Sequence, residues 1–366
     1  MKKPYWLKTH YLKYKINIIF FNMFQFFIPK NKAGNKVLIT ELDGIGDIVV
    51  RQKLVDKIAE KHGRENIVLL VTYAAELLEL SGYKYEIFEK DMHYNFLKLL
   101  GLFKRLCKYD FGILYSLEFI SEDKLDFLKK MNLLKIYGFK GGWLDNWRHK
   151  KDIVLVKPDG EKVLDRIHKY AVTVLNSDLV KEELKPRLNL STSEENYIAV
   201  GVGASDKKKI TFPEKLSEFL ETIVDDYPEM KFHILGQGKN DIEYFQKLEK
   251  VFRKKENLVC FINKLSLVET AKQIANARMY IGFDSGLYNI AYALGKKQIC
   301  MISAKRGQAF YHKDKNINFV YKELNAEPAE TVTESKYNND ISSISPNVFK
   351  KAFDSIIAEK GSEDGL

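Results

Sequence analysis

The residues of this chain best suited to chemistry are one acid and three small-residue turns. Asp47 follows Gly44-Ile45-Gly46, itself preceded by the apolar run at 37–42. That run reads as a buried strand, the glycines as a turn, and the next segment as an amphipathic helix starting near Asp47. Such a turn lies at the carboxyl edge of a parallel sheet, where α/β folds place their ligands. A dinucleotide fingerprint fails here. It needs a third small residue at position 49, which is Val49, and a helix end open to a pyrophosphate. Asp47 suits the helix dipole but repels a phosphate, which speaks against an NAD-dependent oxidoreductase. The turn either presents an acid to a substrate or carries a merely favourable first-turn residue. The residues alone leave both readings open.

The second half holds the other three. Gly203-Ala204-Ser205 precedes Lys207-Lys208-Lys209; small residues let backbone amides approach a ligand, and lysines neutralise phosphates. Gly236-Gln237-Gly238 permits close approach of a nucleoside, with Asn240 or Asp241 placed to bond a ribose. Asp284-Ser285-Gly286 opens a helix, so the amides after it form an anion site. Each alone also reads as an ordinary strand end or N-cap. Three in one domain, opposite a turn bearing an acid, point to a nucleotide-linked substrate. The loop at 140–151 is basic and aromatic. Arg148, His149, Lys150 and Lys151 could hold an anionic acceptor there, or form a solvated surface.

The elements that must position these residues alternate between strand and helix. Strands are expected at 37–42, 67–72, 111–115 and 136–139, with helices at 95–108 and 163–175. A polar, turn-rich linker follows at 185–196. The alternation then restarts, with strands at 197–202, 231–235, 279–283 and 297–302. Helices are expected at 213–225, 266–277 and 287–294. Ser266 with Glu269 makes a capping box, and Gly295 closes the last of these helices. Ser345-Pro346 starts a terminal helix. The fold class is α/β, with two Rossmann-like domains facing across a cleft. The expected divisions are an arm at 1–35, an acceptor domain at 36–190, a nucleotide-sugar domain at 197–335 and a helix at 345–358.

At 366 residues the chain is long enough for two cores, and 45% hydrophobic with 30% charged residues suits a soluble protein. Cys107, Cys260 and Cys300 are too few and too dispersed for a disulfide framework and point to a reducing compartment. No Cys/His spacing resembles a zinc site. The net charge of +10 is local: residues 1–40 hold eight lysines and no acid, leaving 51 basic against 49 acidic residues elsewhere. A nucleic-acid binder would not be charged this way. The apolar stretch at 16–28 is too short to span a bilayer, and no small-residue cleavage site follows it. On a helical wheel Ile16, Ile19, Phe20, Met23 and Phe27 share one face, with Lys13, Tyr14, Asn17 and Gln25 opposite. Such a helix either lies in an anionic membrane surface or docks on the protein's own body.

Four blocks carry a family resemblance over residues 36–359. They are Lys36-Val-Leu-Ile-Thr-Glu-Leu-Asp-Gly-Ile-Gly-Asp47, Val200-Gly-Val-Gly-Ala-Ser205, His233-Ile-Leu-Gly-Gln-Gly238, and Ala277-Arg-Met-Tyr-Ile-Gly-Phe-Asp-Ser-Gly286 with Ala291-Tyr-Ala-Leu-Gly295 after it. The chain resembles glycosyltransferase family 9, the heptosyltransferase-type enzymes of lipopolysaccharide core assembly. The resemblance implies a GT-B fold and an inverting, metal-independent sugar transfer from a nucleotide sugar, typically ADP-heptose, with no cofactor. It implies Asp47 as general base. The donor-binding set would be Gly203, Ala204, Ser205, Lys209, Gly236, Gly238, Asn240, Asp284, Ser285 and Gly286, and the acceptor-binding set Gly46, Arg51, Arg148 and Lys150. It also implies a lipid-linked oligosaccharide acceptor and a peripheral place on the inner face of the cytoplasmic membrane. The chain departs from the family at Asn289, where His is frequent, at Asp43-Gly44 in place of Ser or Thr, and at Phe212 in place of Trp. Those departures bear on the donor's identity and leave open a binder of the same fold that has lost turnover.

Overall fold

The computed structural model describes residues 5–118, 126–141, 143–146, 152–158, 163–191, 193–302, 314–320 and 340–363. The chain forms two compact units. Unit 1 comprises residues 1–159 and 166–184; unit 2 comprises 160–165 and 185–366.

Unit 1 is built on β1 (Lys36–Glu41), β2 (Ile67–Val71), β3 (Lys84–Ile87), β4 (Phe111–Ser116), β5 (Lys135–Phe139) and β6 (Asp152–Val156). They form one parallel sheet in the order β3-β2-β1-β4-β5-β6. β2 is buried along its whole length and β1 from Val37 on, as near-continuous apolar runs require when helices cover both faces. The helices of this unit are α1 (Tyr5–Phe24), α2 (Ile45–His62), α3 (Ala75–Leu80), α4 (Phe96–Leu106) and α5 (Val163–Leu175). Helix α2 begins at Ile45, two residues ahead of the expectation. Gly44 takes the N-cap position, and its carbonyl accepts from the amides of Asp47 and Ile48 at 3.1 and 3.2 Å. Asn95 caps α4 by accepting from Lys98 N at 3.2 Å.

The N-terminal segment is part of unit 1. Phe21 of α1 is buried edge-on against Phe103 and Phe127, and Phe96 stacks on Phe20 and Phe24. The chain beyond α1 is stitched down by Asn31, which donates to Phe111 O at 2.9 Å and accepts from Asn132 N at 2.9 Å.

Unit 2 repeats the plan with β7 (Tyr197–Gly201), β8 (Lys231–Leu235), β9 (Leu258–Cys260), β10 (Met279–Phe283), β11 (Gln298–Met301) and β12 (Ile317–Val320). Their order is β12-β11-β10-β7-β8-β9, again parallel. Its helices are α6 (Pro213–Asp226), α7 (Lys239–Val251), α8 (Leu267–Asn276), α9 (Gly286–Ala293) and α10 (Pro346–Glu363). The capping box forms at α8: Ser266 Oγ accepts from Glu269 N, and Glu269 accepts from Ser266 N. Helix α10 seals the core, with Phe349 stacked on Phe219 of α6.

Both sheets therefore have the doubly wound order. The chain lays strands outward from β1 or β7, then returns to the other side with β4 or β10. The switch points are β1/β4 in unit 1 and β7/β10 in unit 2, and crevices at such points receive ligands.

Candidate active site

At the switch point of unit 1 the chemistry is acidic. Glu41 ends β1, Asp43 and Asp47 follow it, and Glu118 lies just past the end of β4. Asp47 is exposed in the first turn of α2. Asp43, with its side chain 31% exposed, is engaged by Arg51; Asp47 is the most exposed acid of this group. Behind it Glu41 is fully buried, and neither of its carboxylate oxygens has a hydrogen-bond partner among the described residues. Glu118 is 2% exposed and accepts from Leu42 N at 3.3 Å. Burial pushes the Glu118 carboxyl up to about 8 and lifts Glu41 well above the usual carboxylate range.

Arg51 is the counter-charge. One turn along α2, its Nη2 donates to Asp43 Oδ2 at 2.7 Å, while Nη1 is buried with no partner among the described residues. Burial opposes its charge, but the neighbouring Asp43, Asp47 and Glu41 outweigh that and raise its pKa. The structure thus places Arg51 inside the acidic cluster, with one amine committed to Asp43. Gly46 is half-buried in the first turn of α2. Arg148 and Lys150 lie outside the described residues.

At the switch point of unit 2 the chemistry is reversed. The turn after β7 carries half-buried Gly203 and Ala204 and exposed Ser205, then the single 3-10 turn Lys207–Lys209. Lys209 folds back onto the end of β10, with Nζ 3.3 Å from Asp284 Oδ2. Two of the residues expected to meet the donor thus form an ion pair across neighbouring strand ends. Ser285 is the N-cap of α9 but its side chain makes no cap hydrogen bond, so the amides of residues 286–288 point out of the helix start. Asn289 turns back to donate to Ser285 O at 3.1 Å.

The glycines after β7 and β8 are small for a reason not visible in the sequence. A Cβ on Gly203 or Gly236 would collide with the carboxylate of Asp241. Asp241 Oδ2 accepts from Gln237 N at 2.8 Å, and burial raises its pKa. The room assigned to a nucleoside beside Gly203 and Gly236 is filled by this side chain, and Asp241 pins the turn. Gly238 differs: at φ +94° it adopts a conformation that side chains disfavour, no atom lies within 4 Å of where its Cβ would be, and its amide donates to Asn263 Oδ1 at 2.6 Å. Asn240 is exposed in the first turn of α7.

Sequence reasoning missed Glu118 and the Arg51–Asp43 pair. The available signal was an acid directly after a buried strand, read together with the strand order that sets β4 beside β1. Among the described residues no group of three or more His, Cys, Asp or Glu is arranged to hold a metal ion.

Residues 132–338 match glycosyltransferase family 9 (heptosyltransferase). The chain belongs to this family. Among curated proteins, lipopolysaccharide heptosyltransferase 1 of Campylobacter coli is 25% identical over 125 residues, 34% of this chain; the match spans little more than a third, 36%, of that relative. Among solved structures, the E. coli ADP-heptose LPS heptosyltransferase II superposes with a TM-score of 0.67 at 16% identity, over 89% of this chain and 99% of that one. A glycosyltransferase family 9 protein from Veillonella parvula gives 0.72 at 14% identity, over 90% and 100%. The two structural likenesses establish the fold, which is the GT-B pairing of two Rossmann-like units.

Proposed function

We propose that this family 9 glycosyltransferase moves a sugar, heptose or a related one, from an ADP-linked donor to a lipopolysaccharide or lipooligosaccharide core acceptor. Transfer is inverting and uses no metal. Asp47 accepts the proton of the acceptor hydroxyl as that oxygen bonds to the anomeric carbon. The bond from that carbon to the diphosphate breaks, and the leaving nucleotide departs with the electron pair. Lys209 and the amides of 286–288 take up the charge that develops on the diphosphate. Asp284 holds Lys209 at the strand edge until a phosphate competes for it. The acceptor is lipid-linked, so the reaction takes place at the inner face of the cytoplasmic membrane.

The observation that carries this reading is Asp47 itself. In a chain of this family, it is the exposed carboxylate at the unit 1 switch point, with Glu41 and Glu118 buried behind it and Arg51 supplying counter-charge. A neutral hydroxyl is tolerated at such an edge, whereas a diphosphate is not. The test is a donor panel. ADP-heptose, UDP-hexoses, UDP-N-acetylhexosamines and GDP-sugars are each offered with a truncated lipid-linked oligosaccharide, and nucleotide release and acceptor mass are read together. Transfer from ADP-heptose, abolished in Asp47→Asn, is the expected outcome. Preference for a uridine or guanosine donor would overturn the ADP assignment, and donor binding without transfer would make the chain a binder.

A further inference from the structure

Helix α1 is docked through a mixed face of aromatic and polar residues. Its buried residues are Tyr14, Asn17, Phe21 and, just past its end, Gln25. Asn17 donates to Met92 O at 3.2 Å. The opposite face carries Leu12, Ile16, Ile19 and Met23, with Phe27 just past the helix end, all exposed; Phe20 beside them is partly covered by Phe96. Met23 is 58% exposed and Phe27 82%, although both are large and apolar. The inner face already has its anchor in Phe21, so the second apolar stripe is not used in completing the fold, and it stays exposed while Asn17 and Gln25 are buried. Contiguous apolar surface of this kind marks a contact with something outside the chain.

The charge around the face selects the occupant. Lys13, Lys15, Lys30 and Lys32 are all exposed around this helix, and no acid precedes Glu41. A second copy docked through the same face would bring lysines against lysines with no acid from this segment to compensate. An anionic bilayer supplies both an apolar interior and negative headgroups. No helix among the described residues is long and apolar enough to cross a membrane. We infer that α1 is a membrane-seating helix: its inner face is fixed to unit 1, and its outer face lies in the plane of an anionic lipid surface. The lipid contact thereby sits on a helix rigidly joined to the unit that carries Asp47. This inference does not depend on the reaction proposed above, and either can fail alone.

The test uses the full chain and vesicles of phosphatidylcholine with and without phosphatidylglycerol, read by co-sedimentation. Binding should require the anionic lipid and weaken as salt rises, with each lysine near the surface contributing roughly fivefold in partitioning. Met23→Asp/Phe27→Asp should lose at least about tenfold in vesicle binding. It should keep the wild-type thermal melt and nucleotide affinity, because neither side chain packs inside unit 1. Lys13→Glu/Lys15→Glu should weaken binding to anionic vesicles and leave the melt in place. Equal pelleting of wild type and the aspartate pair would overturn the inference. So would a concentration-dependent dimer, in the absence of lipid, that the same aspartate pair dissolves.

Discussion

The two sheets run their strands in the same order, yet the edges at their switch points carry opposite chemistry. Unit 1 gathers Glu41, Asp43, Asp47 and Glu118 around the guanidinium of Arg51. Unit 2 presents small residues, an uncapped helix start and Lys209 held by Asp284. The shared topology gives each unit a crevice, and the residues at the strand ends decide what that crevice tolerates. An acid-rich edge suits a proton-giving neutral hydroxyl; a lysine with outward amides suits a diphosphate. Function in this fold is written in the residues at the strand ends, and the remaining length of strand and helix serves to hold those ends still.

Several substitutions would break the contrast if it is misread. The largest effect belongs to Asp47→Asn, which keeps the shape of the α2 start and removes the proposed base. Turnover should drop about 10²–10⁴-fold while donor affinity holds, measured by transfer kinetics alongside calorimetric nucleotide titration. Next is Arg51→Met, which leaves Asp43 without its ion-pair partner and buried Glu41 without the positive charge that opposes its desolvation. A loss of about 3–5 kcal/mol is expected. Hydrogen–deuterium exchange of the β1 and β2 amides in urea reads that unit directly. Glu41→Gln added to Arg51→Met should restore part of the loss, which a simple packing defect would not allow.

Lys209→Met sharpens the other edge. Donor affinity should weaken about 10–100-fold with the unit 1 melt unchanged, as loss of one charge-assisted phosphate contact predicts. The effect of Glu118→Gln shows only in the pH dependence, and its sign is set by burial. With its carboxyl raised to about 8 in the fold against 4.5 for the free group, native unit 1 binds the extra proton between those values. The associated stability is complete below the unfolded value and is lost as pH rises through about 8. The slope is at most about 1.4 kcal/mol per pH unit. Wild-type unit 1 should therefore melt progressively lower from pH 5 to pH 9. Glu118→Gln, neutral throughout, should flatten that fall while still accepting from Leu42 N.

Much of this architecture was legible in the sequence because the buried parallel strands are near-continuous apolar runs. Ile67–Val71, Lys231–Leu235 and Met279–Phe283 stand out for that reason, as does helix Val163–Leu175 through its apolar spacing. The strands that escaped, β3, β6, β9 and β12, are short and lie toward the sheet edges. Lys84–Ile87 is exposed at both ends and offers neither a clean alternation nor a run. Helix α7 escaped because it buries only Phe245 and Leu248, too sparse a stripe to announce a period. Of the candidate site, the placement of Asp47 in the first turn of α2 and of Asp284 directly after β10 was legible. Contacts between strand ends were not: Lys209 with Asp284, and Asp241 filling the room beside Gly203 and Gly236, depend on which strands become neighbours. The wheel of the N-terminal helix was drawn correctly from the sequence, but which side faces the protein required the structure.

The central claim is that proton removal and donor binding belong to different edges, and the most direct measurement compares the two edges in one experiment. Donor dissociation constant and single-turnover rate at saturating donor would be determined for wild type, Asp47→Asn and Lys209→Met. The account predicts a crossed pattern. Asp47→Asn should bind donor like wild type and turn over about 10²–10⁴-fold more slowly, and Lys209→Met should mainly lose affinity. Near-normal turnover by Asp47→Asn, or donor binding lost through Asp47→Asn and kept by Lys209→Met, would contradict it.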